Sequence, residues 1–128
     1  MTAAAAQRIR TWAFLLWIGL ILVGSFIQVP EMKSIDRFHP DVIFHFAMYL
    51  GLAVLGILAY RWWALIPCAI VAMGTEIVQH FLPYREMSLV DFGTNLLGTA
   101  AGSAVWAVIL LIQHDRRRLG QSMAERID

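Results

Sequence analysis

Four runs of this chain carry almost no formal charge, and each is long enough to cross a lipid bilayer. Thr11 to Pro30 is 20 residues without a charged side chain. Val42 to Tyr60 is 19, interrupted only by His45, and Trp62 to Tyr84 is 23 with Glu76 as its one carboxylate. Phe92 to Gln113 is 22 residues with no charge. A spanning helix needs roughly 20 apolar residues, with a range of about 17–25. The whole chain is 59% hydrophobic and 15% charged, against roughly 45–50% and 25% in soluble domains. Lipid, not water, is the solvent that such a composition suits. The expectation is an all-α fold: an integral membrane bundle of four transmembrane helices. It forms a single domain over residues 1–128, with spans at about 11–29, 42–60, 62–82 and 89–113.

Arg8 and Arg10 ahead of the first run could open a secretory signal. No small-residue cleavage site follows, and the length suits a span, so the helix is expected to be retained. The one cysteine, Cys68, can form no internal disulfide and reads as a small core residue beside Pro67.

The ten basic residues set an orientation. Arg8, Arg10, Arg61, Arg116, Arg117, Arg118 and Arg126 fall on one side of a four-span topology, and Lys33, Arg37 and Arg85 on the other, 7 against 3. Lys and Arg near span ends favour the cytoplasm, so both termini are expected there, in a multi-pass protein of the bacterial cytoplasmic membrane. The Arg116–Arg118 run reads as a stop-transfer anchor, and nothing in the charge pattern calls for nucleic acid.

The connections are short. Tyr60 and Arg61 leave room only for a tight hairpin between spans two and three. Pro83 ends span three, and Ser88 with Asp91 three residues on fits a capping box for span four. The one longer link, "PEMKSIDRFHP" from Pro30 to Pro40, is external in this topology.

This arrangement gathers polar residues that the sequence scatters. Asp41, His45 and Tyr49 recur every four residues along span two. Glu76, Gln79 and His80 lie in the last turns of span three. Asp91, Asn95, Gly98 and Gly102 share one face of span four. All are expected at one depth in the outer half. An ionisable group inside a span costs at least about 2.5–3.5 kcal/mol, so Glu76 should face the interior, with His45, Tyr49 and Arg85 as candidate partners. The bland alternative is interhelical glue, and for Tyr49 and Gln79 taken alone it is preferred. Gly98 and Gly102 read as a close-approach face, either within the bundle or in a homo-oligomer. His39 and His80 read as interfacial, and Trp12, Trp17, Trp62, Trp63 and Trp106 as belt or packing residues.

These positions also carry a resemblance. "DVIFHFAMYLGLAVLG", with Asp41, His45, Phe46 and Tyr49, and "EIVQHFLPYREMSLVDFGTNLLGTAAG" resemble the VanZ-like family of small bacterial membrane proteins. In the second block the matching positions are Glu76, Gln79, Pro83, Arg85, Ser88, Asp91, Asn95, Gly98 and Gly102. The family often carries Lys where this chain has Val42. The family takes its name from a protein linked to resistance to teicoplanin, a glycopeptide acting outside the membrane. The resemblance therefore implies an outer-leaflet lipid or lipid-linked wall precursor as partner.

Two functions compete. One is an outward-facing pocket for an envelope lipid or lipid-linked precursor, bound by Arg85, Glu76, Asp91, His45, Tyr49, Gln79, Asn95 and Ser88. In it Glu76, Asp91 and His45 are the candidate acids and bases. The other is a non-catalytic scaffold or partner-stabilising module. No nucleophile motif is present, Ser88 is better explained as a cap, and no enzyme class follows. His45, Glu76, His80 and Asp91 have ligand chemistry but match no tight metal spacing, so no metal and no cofactor is assigned.

Overall fold

The computed structural model describes residues 2–26, 40–82 and 89–124. Among them are α1 (Ala3–Phe26), α2 (Pro40–Tyr60), α3 (Leu65–His80) and α4 (Leu89–Ala124), with a 3-10 turn, Arg61–Ala64, between α2 and α3. The protein is all-α, as its apolar runs require: backbone polar groups in lipid must be satisfied within each segment.

The count of spans is corrected. Three described segments are long and apolar enough to cross a membrane, not four: Ala3–Phe26, Val42–His80 taken as one run, and Leu89–Arg118. The reason is the length of α3. Its 16 residues rise only about 24 Å at 1.5 Å each, short of the roughly 30 Å of hydrocarbon.

The helix ends also differ from the apolar runs. α1 starts at Ala3, where the Thr2 hydroxyl accepts a hydrogen bond from the Ala5 N–H at 3.3 Å and caps the first turn. α4 continues for 36 residues through Arg116, Arg117 and Arg118, because arginine ends a hydropathy window without opposing a helix. The Lys33, Arg37 and His39 link, Pro83, and the Ser88 half of the capping box lie outside the described residues.

Side-chain pairings set the helix directions. Between α2 and α3, Cys68 Sγ faces the Leu52 carbonyl at 3.8 Å and Tyr49 Oη lies 2.8 Å from Thr75 Oγ1, so one numbering falls as the other rises. The run Val42–His80 is thus folded back on itself, as the short link predicts. The reversal is made at Arg61, whose φ of 58° is in the left-handed region. Between α1 and α2, Gln7 Nε2 donates to the Ala59 carbonyl at 2.6 Å and Trp17 Nε1 to the Met48 carbonyl at 2.8 Å, again antiparallel. α4 runs parallel to α2, with Gly98 against Phe46 and Gly102 against Leu50. The bundle is therefore up-down-up-down, and the start of α1 and the end of α4 share one end.

The two glycines explain why α2 and α4 make the largest helix–helix contact. A Cβ on Gly98 would stand 2.5 Å from the Phe46 carbonyl oxygen, and one on Gly102 2.6 Å from that of Leu50. Only glycine lets the backbones approach this closely. This close-approach face packs against α2 of the same chain.

The burial pattern is inverted relative to a water-soluble protein. Leu16 is 70% exposed and Trp63 77% exposed, whereas Asn95, Glu76 and Gln79 are 0%, 1% and 2% exposed. An apolar surface of this extent needs an apolar medium around it. The apolar core that remains is thin, built from Phe14, Ile21, Tyr49, Leu52, Cys68 and Ala72 where α1, α2 and α3 meet.

Candidate functional site

The polar residues converge at the end of the bundle away from the start of α1. α2 supplies His45 and Tyr49 from its first turns. α3 supplies Thr75, Glu76 and Gln79 from its last turns, and α4 supplies Asn95. His45 Nδ1 lies 2.9 Å from Asn95 Oδ1, and Asn95 Nδ2 donates to Glu76 Oε1 at 3.1 Å. One amide thus ties an imidazole on α2 to a carboxylate on α3.

The chemistry of the amide sets direction along this chain. Its nitrogen only donates and its oxygen only accepts. With Nδ2 placed on the carboxylate by the network itself, Oδ1 takes a hydrogen from His45, so Nδ1 of the ring carries it. His45 Nε2 is then the nitrogen directed away from the relay. Because His45 is half-buried while Asn95 and Glu76 are fully buried, the ring is the relay's outermost member.

Two further contacts flank the relay. Thr75 Oγ1 donates to the Val71 carbonyl one turn back at 2.9 Å, so the Tyr49 hydroxyl donates to Thr75 Oγ1 across 2.8 Å. Gln79 Nε2 donates to the Ser25 carbonyl at 3.0 Å and ties α3 to the last turn of α1. Thr75 and Ser25 were not anticipated. Thr75 could have been found from its place four residues before Gln79 on the same buried face. Ser25 contributes a backbone oxygen, which no residue pattern announces.

The predicted residues divide accordingly. His45, Glu76 and Asn95 form one bonded chain, and Tyr49 and Gln79 bond beside it. Glu76 and His45 are linked through Asn95. Asp91 is half-buried in the first turn of α4, one turn before Asn95 on the same face. Arg85 and Ser88 lie outside the described residues. His80 is exposed and sits edge-on to Phe81, with ring centroids 5.5 Å apart. Among the described residues no three His, Cys, Asp or Glu side chains group closely enough to hold a metal ion.

An oily-surfaced helical bundle with a carboxylate, an amide and an imidazole hydrogen-bonded in its interior is a polytopic membrane protein. Within that class a family model, VanZ/LLP1, matches residues 7–111. The chain belongs to the VanZ family, in agreement with the resemblance at Glu76 to Gly102. Comparison with curated proteins and with solved structures returned no match to either.

Proposed function

We propose that the relay is the floor of an outward-facing site that engages the polar head of an envelope lipid or a lipid-linked wall precursor. In this reading the protein is held in the cytoplasmic membrane with both termini inside. The 7-to-3 division of basic residues supports the orientation. The carrying observation is Glu76: an ionisable group buried in a lipid-facing bundle and bonded to a relay that ends at the less buried His45. Such groups are costly in a membrane and are usually functional. Arg85, in the link beside Glu76 and Asp91, is the proposed anchor, since its donor fork suits phosphate or carboxylate. Family membership supports a link to glycopeptide action on the same side of the membrane.

One observation favours a second reading. Asn95, Glu76 and Gln79 each bond across a helix interface while fully buried, which is what glue in a scaffold module would do. Glu76→Gln separates the two, because glutamine keeps the oxygen that accepts from Asn95 and removes the ionisable group. The site reading expects a variant that inserts and melts like the wild type but no longer alters teicoplanin susceptibility in cells. If Glu76→Gln acts as the wild type while Asn95→Leu abolishes folded protein, the scaffold reading replaces it.

A further inference from the structure

A groove of about 670 Å³ opens at the other end of the bundle, between the 3-10 turn and the C-terminal half of α4. Its polarity is graded. Ala107, Leu110 and Leu111 line one part, and Gln113, His114 and Arg117 the other. On α4 these recur at three- and four-residue steps, so they form one helix face. The change from methyls to guanidinium takes place over about 15 Å of helix rise. Across the groove stand Arg61 and Trp62. Two cations, Arg61 and Arg117, therefore line the groove together with an apolar floor.

The backbone at Arg61 also turns the chain here. Its φ of 58° places it in the left-handed region, which glycine or asparagine occupies at least cost. The chain holds a large cation at this reversal instead, on the lining of the groove.

We propose that this groove seats one anionic phospholipid, with its phosphate between Arg61 and Arg117 and an acyl chain along Ala107, Leu110 and Leu111. Trp62 closes the side at the depth where indole rings favour the interface. The lipid comes from the leaflet on the side of the chain termini, the one opposite the relay. Basic pockets between helices on the cytoplasmic side recognise anionic head groups by the same chemistry. The site is separate from the relay and stands or falls without it.

The test uses full-length protein in nanodiscs of phosphatidylcholine containing a phosphatidylglycerol fraction, with retained lipid counted by native mass spectrometry. Wild type is expected to retain phosphatidylglycerol over phosphatidylcholine. Arg61→Asn, which suits the left-handed backbone, and Arg117→Gln should each lower that retention about fivefold. Arg118→Gln, one residue outside the groove, should leave it unchanged. Millimolar inorganic phosphate should not displace the lipid. The proposal is overturned if there is no preference for phosphatidylglycerol, or if Arg118→Gln matches Arg117→Gln, since charge alone would then account for retention. Displacement by inorganic phosphate overturns it also, in favour of a free-anion site. Should Arg61→Asn fail to fold, Arg117→Gln at an exposed helix position decides the matter alone.

Discussion

Asn95 donates its side-chain hydrogen to Glu76 Oε1 at 3.1 Å, with both residues removed from solvent and 19 positions apart in the chain. This bond joins α4 to α3, and through His45 the same amide joins α4 to α2. A single neutral side chain thus holds the orientation of three helices at one end of the bundle.

Asn95→Leu should therefore destabilise the protein by about 1–3 kcal/mol, because it leaves buried polar groups to find other partners. Tyr49→Phe should cost less, about 0.6 kcal/mol, a typical value for one hydrogen bond between membrane helices, since Thr75 keeps its bond to the Val71 carbonyl. Equilibrium unfolding in detergent micelles measures both. Equal losses would mean that the relay is no more than one more interhelical bond.

Gly98→Ala should cost about 1–3 kcal/mol through overpacking, because the added methyl meets the backbone of α2, which cannot rotate aside. Gly93→Ala is the control on the same helix. Its added methyl meets nothing within 4 Å, so it should be neutral or stabilise by about 0.5–1 kcal/mol through helix propensity. Thermal melting of the two purified variants makes the comparison.

Membrane-impermeant thiol labelling of whole cells should modify Ser34→Cys and miss Gln121→Cys. The native thiol does not interfere, because Cys68 is fully buried and its sulfur faces the Leu52 carbonyl. The reverse pattern would turn the bundle over and put the relay on the cytoplasmic side.

Arg85→Lys and Arg85→Ala should both weaken teicoplanin-related protection in cells, and lysine should not restore it, because it keeps the charge but loses the two-pronged donor geometry. Susceptibility assays at matched expression provide the measurement. If both variants protect as the wild type does, Arg85 acts only on topology.

Class, solvent and chain reversal were legible in the residues alone. The apolar runs require helices in lipid, and the bare Tyr60–Arg61 link requires a hairpin there. The four-residue steps of His45 and Tyr49, and of Asp91 and Asn95, place each pair on one helix face. These are properties of single segments, and hydrocarbon acts on segments one at a time through hydropathy and backbone satisfaction. What tertiary structure alone decided was which face meets which. Glu76 accepts a bond from Asn95, a partner that its position in the sequence did not single out. Tyr49 pairs with the unanticipated Thr75, and the glycine face packs against α2. Pairing depends on how far each helix is rotated about its axis and how closely two backbones approach. Both are set here by the missing Cβ atoms of Gly98 and Gly102 against α2, a contact between residues about 52 positions apart that no local pattern encodes.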